Sequence, residues 1–161
     1  MDKEFKIKGL MMDPMTNSPI VILQELEKKT LLPIWVGIFE ANAIALQIER
    51  IDTPRPMTHD LLKNILLHLD GYVEKVVVTA LRENTFYASI HLYLNGETLT
   101  IDSRPSDAIA LALRTDAPIY VTEDVINKSR NMTIEKDKLD PDDVTEWLEN
   151  LNPEDLGKYE M

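Results

Sequence analysis

The tetrad Ala-Ile-Ala-Leu occurs at 43–46 and again at 108–111. At the same offset Val36 aligns with Ile101, Asn42 with Asp107 and Ile48 with Leu113. Each tetrad lies in a helix-patterned stretch preceded by the same order of elements: strand, hairpin, strand. The pattern predicts an internal repeat, with copies at about 5–70 and 72–130. Two β-rich halves each have one sheet face to bury. One joined sheet packed by the alanine-rich helices satisfies both. The expected fold class is therefore α+β, with a mainly antiparallel sheet.

The local signals agree. Phe5–Met12, Ile20–Leu23 and Leu31–Val36 read as strands, and Pro33 suits an edge position. Glu25–Lys29 reads as a charged turn, with a short helix as the alternative. Phe39–Arg50 has helical periodicity, and a proline-containing linker follows at 52–57. Thr58 is expected to cap the next helix, with His59 and Asp60 in its first turn. Leu61, Leu62, Ile65, Leu66 and Leu69 recur at helical spacing and predict a buried stripe. Asp70-Gly71 stops that helix. Strands are expected at Tyr72–Leu81 and Phe86–Leu94. Asn95-Gly96 is a hairpin signal into a half-buried strand at Thr98–Ile101. Pro105 suits the first turn of a helix that ends at Ala117-Pro118. Ile119–Val121 reads as a strand and Glu123–Arg130 as a short helix. Asp140 opens an acidic helix through Leu151.

Charge divides the chain. The formal net charge is −11. Residues 131–161 hold ten acids and three bases, a net of −7, which leaves −4 for residues 1–130. The expected organisation is a domain at 1–130 and an acidic helical extension at 131–161. Binding to phosphates requires their neutralisation, so a broad basic surface is excluded and a local groove is not. Aromatic content of 6% argues against an extended base-stacking platform. There is no cysteine, so thiolate chemistry and cysteine-ligated zinc are excluded. The N-terminus lacks the apolar stretch of a signal peptide, and no apolar run reaches membrane-span length. Those absences predict a cytoplasmic protein.

The polar corner between the strand at 98–101 and the following helix crowds Asp102, Arg104, Ser106, Asp107 and Arg114 together. Two readings stand. The acids complement helix N-termini and the arginines hold them in structural ion pairs, or the corner binds a charged ligand. No phosphate-cradling glycine loop and no Gly-x-Ser-x-Gly elbow is present.

DSRPSDAIALALR at 102–114, with PIYV at 118–121, resembles the signature of the bifunctional nuclease family. LPIWVGIFEANAIAL at 32–46 and RPMTHDLL at 55–62 are similar to that family's two earlier motifs. The resemblance covers about residues 5–130. It implies hydrolysis of phosphodiester bonds in DNA and RNA with low sequence specificity, and a homodimer; the lack of a membrane-length apolar run adds the expectation of no membrane partner. Within the matched motifs, His59, Asp60, Asp102 and Asp107 are the expected catalytic residues. Asp60, Asp102, Asp107 and Glu40 are the expected ligands of a divalent metal, magnesium or manganese. Arg55, Arg104, Ser106 and Arg114 are expected to hold substrate. A second reading is a non-catalytic dimeric module that binds a small anion, a nucleotide or a protein partner through the same corner.

Overall fold

The computed structural model describes residues 1–27 and 30–130. The acidic helix expected at 140–151 lies outside them. The first half contains β1 (Asp2–Met12), β2 (Pro19–Glu25), β3 (Leu31–Trp35) and helix α1 (Ile38–Ile48). Helix α2 (Thr58–His68) leads to β4 (Tyr72–Arg82), β5 (Thr85–Leu94), β6 (Glu97–Ser103) and helix α3 (Pro105–Thr115). The final described elements are β7 (Ile119–Thr122) and α4 (Glu123–Arg130).

The strands form one seven-stranded sheet in the order β3-β2-β1-β7-β4-β5-β6. Each half is a three-stranded antiparallel meander followed by a helix. Strand β7 lies between the meanders, antiparallel to β1 and parallel to β4. The fold is thus α+β with a mainly antiparallel sheet. The turns between the β4, β5 and β6 strands need left-handed backbone, and Glu83, Asn84, Asn95 and Gly96 all have positive φ.

Period-two alternation sorts the sheet into two faces. Val76, Val78, Ala88, Leu92, Ile119 and Val121 point to the face where α1, α3 and α4 pack. Alanines 108, 110 and 112 of α3 and Ala45 of α1 are buried there, and their small side chains let the helices approach closely. Burial of this apolar face provides the main stabilisation, at about 25 cal/mol per Å² removed from water.

Three local expectations change. Met57, not Thr58, is the residue before α2, and its backbone N–H donates to the Asp60 carboxylate at 2.9 Å. The α2 stripe is not buried: Leu61, Leu62, Ile65 and Leu69 are between 42% and 54% exposed. Helix α2 meets α3 through His59 and Asp60, and Leu66 alone of the stripe packs against the core. Strand β6 is a sheet edge, so its inward-facing Leu99 and Ile101 stay 38% and 45% exposed and none of its residues is buried.

Candidate functional site

The N-termini of three helices meet at one corner. Gly37 precedes α1 and Glu40 lies in its first turn. A Cβ on Gly37 would collide with the Glu40 carboxylate, so glycine there leaves the carboxylate room to fold back. His59 and Asp60 lie in the first turn of α2. Arg104 precedes α3, Pro105 opens it, and Asp107 lies in its first turn. Acids at helix N-termini are favoured by the backbone dipoles. Here they also bond across helices.

Arg104 joins two of the elements. Its Nη1 donates to Glu40 Oε1 at 2.8 Å and its Nε to Asp107 Oδ2 at 2.9 Å. The other Asp107 oxygen, Oδ1, lies 2.9 Å from His59 Nε2. Burial raises the tendency of Asp107 to protonate, but the bonds from Arg104 and His59 outweigh it and hold its pKa below the ordinary 3.8, as bonds to a charged form do. An ionised carboxylate only accepts, so His59 Nε2 carries the hydrogen. In the neutral imidazole Nδ1 is then the basic nitrogen. His59 is buried, and Asp107 fixes both its ring orientation and its tautomer. The two carboxylates also raise the pKa of Arg104, first through the Asp107 bond and then through Glu40.

A second network lies behind the first. The Arg114 guanidinium is buried, with 3% of its side chain exposed. Its Nε donates to Asp60 Oδ1 at 2.7 Å, Nη1 to the Ala110 carbonyl at 3.0 Å and Nη2 to the Ala43 carbonyl at 3.0 Å. One side chain therefore ties α3 to both α1 and α2. Burial pushes Asp60 up, while the Met57 N–H and Arg114 pull harder and leave its pKa below 3.8. A pocket of about 320 Å³ opens against this network, lined by Asp60, Asn64, Arg114 and the linker prolines Pro54 and Pro56.

The other expected residues fall elsewhere. Asp102 pairs with Ser89 on β5 and points to the sheet face away from the helices, so it joins neither network. Ser106 is buried in the first turn of α3. Arg55 is exposed in the linker, and its carbonyl accepts from the Thr53 hydroxyl at 2.7 Å. Among the described residues, no three His, Asp or Glu side chains are grouped to hold a metal ion. Glu40, Asp60 and Asp107 each bond a guanidinium, and Asp102 is on the opposite face. The expected four-carboxylate set does not fit a preformed metal centre. Sequence reasoning missed the Ala43 and Ala110 carbonyls, because main-chain acceptors leave no mark in the residue types. It also missed the pairing of Arg114 with Asp60 across helices, since Asp107 is the acid at helical spacing from Arg114.

Comparison with known proteins adds a second line of support. The family model of the bifunctional nuclease domain matches residues 21–133. An uncharacterized protein of Mycobacterium tuberculosis is 32% identical over 95% of the chain and 97% of its own length. Bifunctional nuclease 1 of Oryza sativa subsp. japonica is 30% identical over 68% of the chain and 34% of its own length. Bifunctional nuclease 2 of Arabidopsis thaliana is 27% identical over 76% of the chain and 38% of its own length. The matched part thus spans little more than a third of these plant relatives. Among the described residues, no helix is long and apolar enough to cross a membrane.

Proposed function

Because the chain belongs to the bifunctional nuclease domain family, we propose that it hydrolyses phosphodiester bonds in DNA and RNA with low sequence specificity. The observation that carries the reading is the buried His59 ring held by the Asp107 carboxylate at 2.9 Å. Hydrolysis needs a base for the attacking water and positive charge for the phosphate oxygens. His59 Nδ1 takes the proton from water as the water oxygen bonds phosphorus and the bond from phosphorus to the leaving sugar oxygen breaks; that oxygen takes a proton from solvent, and the imidazolium then releases its own. Asp107 orients the ring and stabilises the imidazolium that forms. Arg104 is largely exposed and bridges two carboxylates, so it can lend its outer N–H groups to a phosphate while Glu40 and Asp107 keep it in place. Arg114 and Asp60 fix the helix that carries His59. No step is assigned to a metal ion.

Full-length protein incubated with single-stranded DNA and RNA, with and without chelator, tests the reading. His59→Gln, purified identically, should lose cleavage by at least 100-fold while melting within a few degrees of the parent. Cleavage retained by that variant would reject His59 as base. Complete loss of parental cleavage in chelator would restore the metal-assisted route. Absence of cleavage under every condition would favour the non-catalytic anion-binding module.

The reading includes a homodimer. It rests on the exposed leucine stripe of α2, an apolar patch of a kind that marks association surfaces. A two-fold axis would place the stripe against its copy. Sedimentation at micromolar concentration should show a dimer, and Leu62→Lys should shift it toward monomer. A monomeric parent would refute the arrangement.

A further inference from the structure

The chain has five tyrosines. Four of them, Tyr72, Tyr87, Tyr93 and Tyr120, lie on the sheet face opposite the helices; Tyr159 is outside the described residues. The register fixes this. Odd-numbered residues of β5 alternate away from the core residues Ala88 and Leu92, and Tyr72 pairs with Tyr93. Tyr120 pairs with Val77, which pairs with Ser89 on the same outward face. The low overall aromatic content conceals this concentration.

The rings are arranged for contact. Tyr72 and Tyr93 stack with centroids 5.2 Å apart and planes 29° from parallel. The Arg82 guanidinium lies over Tyr87 at 5.6 Å, and the Lys75 ammonium over Tyr120 at 5.5 Å. Tyr72 and Tyr87 are about half exposed. Such a face offers π-surfaces with cations beside them. Cross-strand pairing accounts for the Tyr72–Tyr93 stack, but Tyr87 and Tyr120 face no aromatic residue in the register and each carries a cation instead. We propose that the outer face of β4, β5 and β7 is a binding platform for single-stranded nucleic acid. Bases stack on the tyrosines, and Lys75 and Arg82 neutralise phosphates.

Two further features suit that occupant. Tyr87 and Tyr93 lie on one strand at a separation of about 20 Å, a span of several nucleotides. A rigid sheet face also matches an unpaired strand better than a duplex, whose bases are stacked on one another. Topology supplies a route to the corner. Strand β6 is the edge, and Arg104 follows its last residue directly. A strand leaving the tyrosines can therefore turn over an open edge to Arg104. Asp102 lies on the same outward face beside Ser89, so phosphates on this face rely on Lys75 and Arg82 for neutralisation. This inference deepens the nuclease reading and rests on it for the substrate class, but the surface is separate from the His59 corner.

Fluorescence anisotropy with a dye-labelled oligothymidylate 20-mer tests it on the full chain. Tyr87→Ala with Tyr93→Ala should weaken binding at least ten-fold. Tyr87→Phe with Tyr93→Phe keeps the rings and should restore it to within three-fold of the parent. Lys75→Ala with Arg82→Ala should lower the salt slope of log K by about 1.4, two phosphate contacts at about 0.7 each. Equal melting of the phenylalanine and parent proteins guards against a folding artefact. A parent that does not bind the oligomer overturns the proposal, as do alanine variants that bind like the parent. Tyrosine variants that turn a dimeric parent monomeric also overturn it, because the face is then an interface between copies. Cleavage assays separate the two readings. Cleavage that is indifferent to the tyrosines, with unchanged binding, removes the platform and leaves the nuclease. Tyrosine-dependent binding without cleavage leaves the platform and removes the nuclease.

Discussion

Replacing Arg114 by methionine keeps most of the aliphatic packing and removes the guanidinium. The cost can be worked bond by bond. The bond to Asp60 is short, at 2.7 Å. A charged bond of that kind is worth about 1.5–3 kcal/mol. The other two bonds reach the Ala43 and Ala110 carbonyls, which sit within helices. Each of those losses is about 0.5–1 kcal/mol. Asp60 then loses its counter-charge. Its side chain is about one-third exposed and faces the 320 Å³ pocket, so water restores part of its solvation. The expected net loss is about 3 kcal/mol, at the low end of the cost of breaking a fully buried pair. In a domain of this size that lowers the melting temperature by roughly 10 °C. Urea titration followed by circular dichroism measures it as a shift in midpoint at constant slope. Arg114→Lys should recover only a minor part, because an ammonium cannot reach three acceptors from one planar fork. A loss under about 1 kcal/mol would refute the reasoning, since even the charged bond alone exceeds it. So would strict additivity of Arg114→Met and Asp60→Asn, because bonded partners must couple.

Acid should destabilise the fold through the same carboxylates. Asp60 and Asp107 have folded pKa values below their unfolded value. Their stabilisation is therefore present above about pH 4 and is lost as pH falls through the folded values. Melting temperature should be flat from about pH 5 to 7 and fall below about pH 4, and Asp107→Asn should flatten that fall. Arg104→Ala removes ion pairs that are exposed on the arginine side. It should cost roughly 0.5–1 kcal/mol of stability, yet raise the KM for any phosphodiester substrate at least ten-fold. In Gly71→Ala the new methyl would lie 3.0 Å from a Leu94 methyl and 3.2 Å from the Tyr93 carbonyl oxygen. Such overpacking should destabilise by about 1–3 kcal/mol. Thermal melts, initial-rate kinetics and urea titration, respectively, measure these outcomes.

The meanders were legible because turn residues bracket their apolar runs, although register shifts near Gly9, Lys75 and Ala80 interrupt the alternation. Asn95-Gly96 and the β-branched run Val76–Val78 leave few alternatives. The three motifs fall where the N-termini of α1, α2 and α3 meet, since an acid in the first turn of each helix is a local signal. Burial was less legible. The apolar spacing of α2 is the same whether the stripe meets a core or a partner, and only the packing against α3 distinguishes them. Asp102 is close to Asp107 in sequence but alternates to the other side of the sheet, and the register that decides this is long-range. Two of the three partners of Arg114, Asp60 and Ala43, lie 54 and 71 residues away, beyond any periodicity.

Strand β7 is among the last elements made, yet it closes the middle of the sheet. Its four residues are the seam between the two meanders, pairing with Asp2–Phe5 on one side and Val76–Val78 on the other. Each meander is a local hairpin structure that can form early, but the seam joins residues more than a hundred positions apart. Closure should therefore be the slow, cooperative step, and a nascent chain lacking residues 119–122 would expose two unpaired inner edges to its neighbours. The same seam brings the chain's first residue beside its later part: the Met1 amino group lies 3.7 Å from Glu123. A short linker between residue 130 and residue 1, with new ends cut in the exposed 52–57 linker, should give a permuted chain in which the seam strands become neighbours in sequence. Such a protein would fold faster than its parent while keeping the same sheet.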